Sequence, residues 1–139
     1  MTKFAKIISS GSYLPERVLT NKELEDIVDT SDDWITERTG IKERRVSSKD
    51  ETSLDMAYLA SIDALNKSSI NKDDIGAIFL ATCTPERKFP STAVLLQNRL
   101  NIKNAFSLDL NAACTGFIYA LDVAKKYISF ENDKKDLEK

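Results

Sequence analysis

No histidine occurs anywhere in the 139 residues. That single absence excludes a Ser-His-Asp triad, a Cys-His pair and the common zinc sites from this chain. Cysteine is nearly as scarce: Cys83 and Cys114 lie far apart and form neither a metal-ligand nor a redox spacing. The four glycines, Gly11, Gly40, Gly76 and Gly116, are scattered, so neither a phosphate-cradling loop nor a dinucleotide fingerprint can be drawn. No apolar run approaches the roughly 20 residues that span a bilayer, so no membrane partner is expected. Charge of one sign is lacking too. Twenty basic residues against 22 acidic ones leave a net charge of -2, which gives no reason to expect nucleic acid as a partner. Residues 1–6 lead straight into a strand-like run without a secretory leader, and the expected location is cytoplasmic. In that reducing compartment the two cysteines are expected as free thiols.

What is present reads as an ordinary globular domain over residues 1–129. Its 42% hydrophobic and 30% charged residues fit a folded chain of this length. Phe4 to Ser10 (FAKIISS) has the composition of a strand, ended by Gly11 and Pro15. Thr20 followed by Glu23 forms a capping-box pattern that opens a helix from Asn21 to about Asp29, with Leu24, Ile27 and Val28 on its apolar face. Ser31, Asp32 and Asp33 supply a cap and first-turn acids for a second helix carrying Trp34, Ile35 and Arg38, and Gly40 stops it. Lys42 to Ser48 is read as an exposed strand or loop. Its Lys42, Arg44 and Arg45 are read as a solvated face, or as a basic patch suited to an acidic protein.

Further on, Leu54, Ala57, Tyr58, Ser61 and Leu65 fall at helical spacing between Ser53 and Asn66. Ile78 to Thr82 (IFLAT) is an apolar strand of the kind buried on both faces, and Ala105 to Leu110 (AFSLDL) is another. A helix from about Ser91 to Leu100 lies between them. The longest helix runs from Ala112 to Ser129, with Phe117, Ala120, Leu121, Ala124 and Ile128 along one side. Strands alternating with helices predict a layered α/β fold with parallel strand pairs. Residues 130–139 (FENDKKDLEK) turn sharply charged and are read as a solvated helix end or tail.

The stretch Asp109 to Gly116 (DLNAACTG) carries the chemistry. A strand ends, and Cys114 stands near the start of the longest helix, where free N–H groups and the positive end of the helix dipole favour a thiolate. A thiolate attacks thioester carbonyls, and a nearby backbone N–H can stabilise the oxyanion that forms. On spacing alone a free cysteine in an apolar segment is more often a small core residue, and Cys83 is read that way. Trp34 and Arg38, four apart, share one helix face and offer an aromatic plane beside a guanidinium, an arrangement suited to a purine and its phosphates. A tryptophan on a short helix is otherwise more often core.

Five collinear blocks resemble the β-ketoacyl-acyl-carrier-protein synthase III family: SGSYLP at 10–15, VDTSDDWITERTGI at 28–41, IGAIFLATCTP at 75–85, FPS at 89–91 and LNAACTGFIYAL at 110–121. The resemblance runs over about residues 3–129 and covers an N-terminal part only. It implies a thiolase-like fold of which this chain is an incomplete half, a homodimer, and an acyltransferase with no cofactor beyond the coenzyme A thioester that serves as substrate. The implied reaction condenses acetyl-CoA, or another short acyl-CoA, with malonyl-acyl carrier protein through an acyl-cysteine, to initiate fatty-acid synthesis. By the same resemblance Cys114 matches the nucleophile. Trp34 matches the residue that stacks on the adenine, with Thr30 and Arg38 beside it, and Phe89 matches the aromatic that bounds the partner's acyl pocket.

The chain departs from the family in lacking the histidine and the asparagine that complete its site. It therefore reads as a fragment, whether a truncated gene product or a deliberately made piece, that is incompetent for condensation alone. The alternatives are a non-catalytic fragment that retains fold and dimer surface, or another thiolase-like enzyme such as hydroxymethylglutaryl-coenzyme A synthase.

Overall fold

The computed structural model describes the backbone of residues 4–137 and the side chains of residues 4–129. The chain divides into two compact units, residues 13–52 and the remainder.

The smaller unit is held by polar groups. Strand β1 (Arg17–Thr20) leads into helix α1 (Asn21–Glu25), then helix α2 (Asp32–Thr39) and strand β2 (Glu43–Val46). The two strands pair antiparallel, with Arg17 opposite Val46 and Thr20 opposite Glu43. The capping box is formed as the sequence predicts: Thr20 Oγ1 accepts from the Glu23 N–H at 3.2 Å, and the Glu23 carboxylate accepts from the Thr20 N–H at 2.8 Å. Those bonds from Thr20, backbone first, hold the Glu23 carboxyl below its ordinary value. Ser31 caps α2 through the Trp34 N–H at 3.1 Å. Gly40 ends α2 in the left-handed region at φ 71°, a conformation that costs a residue with a Cβ about 1–2 kcal/mol.

The larger unit contains helix α3 (Ser53–Asn66), strand β3 (Ala77–Ala81), helix α4 (Thr92–Arg99), strand β4 (Phe106–Leu110) and helix α5 (Gly116–Leu137). β3 and β4 are parallel, as the α/β reading requires, with Ala77 opposite Phe106 and Ala81 opposite Leu110. Side chains alternate across them. Leu80 joins Ala93, Leu96, Leu100 and Ile102 in the buried cluster, against which Ile78 and Leu54, Tyr58, Ile62 and Leu65 of α3 pack. Phe79 instead meets Tyr127 of α5 edge-on at 6.0 Å, and Phe106 stacks on the same Tyr127 at 5.7 Å. The strand pair thus lies between α3 with α4 on one face and α5 on the other.

Two carboxylates fasten this unit. The Asp109 carboxylate, on β4, accepts from the N–H groups of Thr92 at 2.9 Å and Ala93 at 2.7 Å, and Ser91 Oγ accepts from Val94 at 3.4 Å. The first three N–H groups of α4, which no intrahelical carbonyl can reach, are therefore all satisfied. Glu86 accepts from the Leu54 N–H at 2.6 Å and from the hydroxyl of fully buried Thr92 at 3.0 Å, tying the start of α3 to the start of α4.

Several expectations change. Residues 4–10 join no strand among the described residues; this stretch and the turn after it are tied to α3 by two bonds. Ser9 Oγ donates to the Ala64 carbonyl at 2.9 Å, and the Ser12 N–H donates to Asp63 at 3.0 Å. Lys67 first, and then that Ser12 bond, hold the Asp63 carboxyl below its ordinary value. Strand β1 was not anticipated, since RVLT is short and its partner ERRV is charged. Helix α1 stops at Glu25, and Ile27 and Val28 are exposed rather than forming an apolar face. Of the face read as solvated, Lys42 and Arg45 are exposed and Arg44 is half-buried; the two arginines donate to the carbonyls of Leu19 and Pro15, each at 3.1 Å. The charged segment 130–139 has its side chains outside the described residues.

Replacing Asp109 by asparagine sets an N–H₂ donor where one of two carboxylate acceptors now meets a helix N–H. Urea unfolding is expected to show a loss of about 1.5–3 kcal/mol, the range for a hydrogen bond to a charged group. An unchanged midpoint would mean that the carboxylate does not hold α4.

Candidate functional site

Cys114 sits in a single tight turn, Ala113–Thr115, between the end of β4 and the first residue of α5. The turn is closed by the Thr115 N–H and hydroxyl, which donate to the Ala112 carbonyl at 3.0 and 2.8 Å. Ala113, immediately before the cysteine, has φ 44°, a left-handed conformation that a residue with a Cβ adopts only at a cost. Gly116 is buried, and a Cβ built there would approach the Ala81 Cβ to 3.1 Å, closer than such contacts normally come. The missing side chain lets α5 start hard against the end of β3, which fixes where the cysteine emerges. The Cys114 side chain is exposed. It borders an apolar groove of about 760 Å³, lined by Ala57, Ala60 and Ala64 of α3, Leu80 of β3 and Phe117 of α5.

Cys83 does not occupy the core position the sequence suggests. It is exposed in the loop after β3. Exposure therefore does not distinguish the two thiols. Cys114 differs in its place ahead of a 22-residue helix, whose first-turn N–H groups lack intrahelical partners.

In the smaller unit, Trp34 and Arg38 meet on one face of α2: the guanidinium carbon lies 4.5 Å from the indole centroid. Trp34 is 53% exposed, so it is not the core tryptophan that a short helix ordinarily carries. Arg38 lies 4.0 Å from Glu37, at the outer limit of an ion pair. Val28, Asp29, Thr30, Ser31 and Trp34 line a hollow of about 620 Å³, which brings Thr30 beside the indole. Phe89 belongs to the larger unit; it is 89% exposed and precedes Pro90 through a cis peptide bond.

Two groups that orient these residues escaped the sequence reading. Asp109 is one. Asn21, which looks like an ordinary first residue of a helix, is the other. Its side chain is 1% exposed and donates to the Asp32 carboxylate and to the Ile41 carbonyl, each at 2.7 Å. The only signal in the sequence is a polar residue in a slot that turns out to be enclosed.

The family model for 3-oxoacyl-[acyl-carrier-protein] synthase III matches residues 108–137, the segment containing Cys114. A β-ketoacyl-[acyl-carrier-protein] synthase III of Aquifex aeolicus is 54% identical over 123 residues, covering 88% of this chain and 40% of the relative. The crystal structure of the 3-oxoacyl-[acyl-carrier-protein] synthase III from that organism superposes with a TM-score of 0.83 at 53% identity, over 88% of this chain and 40% of that one. The priming β-ketosynthase of a polyketide biosynthetic pathway superposes with a TM-score of 0.86 at 34% identity, over 92% and 38%. The fold is thiolase-like, and the chain spans about 40% of the length of the relatives it matches.

The Asp32 carboxyl is held below its ordinary value, first by the hydrogen bond from Asn21 and then by that from Thr36, with smaller help from Lys42 and Lys22. A depressed carboxyl contributes stability above its unfolded value, about 3.9, and loses it as pH falls through the lower folded value. Acid titration followed by the emission of Trp34, the sole tryptophan, is expected to show a transition in that window. Asp32→Asn should flatten it; an identical titration would remove Asp32 from the cause.

Proposed function

We propose a function that rests on family membership: the chain belongs to the β-ketoacyl-[acyl-carrier-protein] synthase III family. Its reading is that Cys114 captures the acyl group of acetyl-CoA, or another short acyl-CoA, as the first stage of a decarboxylative condensation. The observation that carries it is the placement of an exposed cysteine on a strained turn at the head of α5, beside an apolar groove. In the first stage the Cys114 sulfur attacks the thioester carbonyl carbon. The bond from that carbon to the coenzyme A sulfur breaks, and the thiol of coenzyme A leaves with a proton. A backbone N–H of the turn or of the first turn of α5 would face the oxyanion. The apolar groove beside Cys114 offers the acyl chain a hydrophobic surface.

The second stage joins the acyl group to malonyl-acyl carrier protein. Loss of carbon dioxide leaves an enolate whose carbon attacks the acyl-cysteine carbonyl, and the Cys114 sulfur departs as the 3-oxoacyl product forms. Negative charge on the enolate oxygen needs positioned donors. This chain has no histidine to supply one. Acyl capture and condensation thus make different demands, and only the first is within reach of the groups present here. The coenzyme A reading assigns Trp34 to the adenine and Arg38 and Thr30 to its surroundings. Phe89, in the same reading, meets the acyl pocket of a second copy in a homodimer.

Purified chain incubated with acetyl-CoA is expected to gain one acetyl group on Cys114 by intact mass and peptide mapping. With malonyl-acyl carrier protein added, no 3-oxoacyl product should accumulate, since loss of even one oxyanion donor costs on the order of 10² to 10³ in rate. Acetylation that persists in Cys114→Ala would end the nucleophile assignment. Condensation by this chain alone would show that an imidazole is not needed. Trp34→Ala is expected to weaken coenzyme A binding by about 1–3 kcal/mol, the worth of stacking a base on an aromatic ring; equal affinities by calorimetry would remove the indole from the nucleotide site.

A further inference from the structure

The face of α2 opposite its aromatic–guanidinium pair is pinned by one buried carboxamide. At 3.6 residues per turn, Asp32 and Thr36 share a face, and Trp34 and Arg38, two positions along, lie roughly 200° around the helix from them. No residue of α2 is fully buried, and Ile35 is its one half-buried aliphatic side chain, so apolar packing leaves the rotation of the helix weakly defined. The Asn21 carboxamide defines it. Its nitrogen donates to Asp32 in the first turn of α2 and to the carbonyl of Ile41 just beyond the helix, at 2.7 Å each, with Thr36 Oγ1 at 3.4 Å between them. Its oxygen accepts from the Arg44 guanidinium at 2.6 Å, and its backbone N–H donates to Lys42 at 3.1 Å. Arg44 can only donate and a carbonyl can only accept, so the amide has a single orientation that satisfies both.

We infer that Asn21 is the positioning residue for the nucleotide half of a bound coenzyme A: by fixing the rotation of α2 it sets the plane of Trp34 and the reach of Arg38. This rests on the assignment of Trp34 to the adenine. No other side chain of this size suits the slot. An aspartate would bring a carboxylate oxygen against the Asp32 carboxylate and the Ile41 carbonyl, and a leucine would remove the bonds to Asp32, Ile41 and Arg44 together.

The test measures binding of two ligands to the full chain by calorimetry: the adenosine bisphosphate half of coenzyme A, which the platform would hold, and pantetheine, which lacks the nucleotide. Asn21→Leu is expected to weaken the nucleotide on the order of tenfold, as misplacing a binding group does, and to leave pantetheine binding and the alkylation rate of Cys114 unchanged. Asn21→Asp should show the same selective loss and Asn21→Asp with Asp32→Asn should recover part of it, because the exchange removes the carboxylate–carboxylate contact while the Ile41 carbonyl still lacks its donor. That pair decides the matter if Asn21→Leu fails to fold by circular dichroism. Unchanged nucleotide affinity in a folded Asn21 variant, equal loss of both ligands, or no recovery in the exchanged pair would overturn the inference. Trp34→Ala separates the two levels. If it weakens the nucleotide while the Asn21 variants do not, only the role of Asn21 falls; if it has no effect, the adenine assignment falls with it.

Discussion

One carboxylate organises the larger unit. Asp109 belongs to β4, yet its two oxygens serve the backbone of α4, taking the N–H groups of Thr92 and Ala93. A helix N-terminus packed against a sheet carries partial positive charge and unpartnered donors, and burying them unmet would cost more than the contact gains. With Ser91 supplying the third acceptor, α4 can press Ala93 and Leu96 into the core directly from its first turn. The same strand then delivers the turn that carries Cys114. Sheet, helix start and cysteine are therefore placed by one short stretch of chain, and Glu86 extends the clamp to α3 through Leu54 and Thr92.

The two units are stabilised by different physics. In the larger one, alternation along β3 sends Leu80 to the aliphatic cluster and Phe79 to the aromatic one, and hydrophobic burial does most of the work. The smaller one buries almost nothing apolar. It relies on Asn21, on the two arginines that donate to main-chain carbonyls, and on two capped helices. Directional bonds define rotation more sharply than apolar contact does, at the cost of sensitivity to any partner being lost. That suits a helix whose outer face must present an indole and a guanidinium in a set relation.

The same division explains what could be read from the sequence. Helix ends announce themselves locally: Thr20 with Glu23, Ser31 and Gly40 all act where their spacing places them. The apolar strands β3 and β4 and their parallel pairing follow from composition and order. Strand β1 does not, because four residues paired with a charged partner carry no period. Residues 4–10 mislead in the opposite direction, with β-rich composition but no ladder among the described residues, Ser9 instead donating its hydroxyl to α3. Of the candidate site, helical spacing gives the shared Trp34–Arg38 face, whereas position alone favours a core residue at Cys114 and only the resemblance singles it out. The roles of Asn21 and Asp109 were not legible, since each depends on groups 11 to 23 positions away that only the folded chain brings close.

The turn at Cys114 shows why a reactive residue there is compatible with a stable fold. A left-handed alanine costs of order 1–3 kcal/mol and survives only where its surroundings over-determine it. Here they do. On one side β4 is fixed by its ladder to β3 and by Asp109. On the other, Gly116 lets α5 abut Ala81 without a Cβ between them, and Tyr127 anchors the helix further along through Phe79 and Phe106. Relaxing Ala113 to an ordinary conformation would require one of those contacts to give way. The strain is thus held in the short turn between β4 and α5, where Ala113 and the exposed Cys114 both border the open groove.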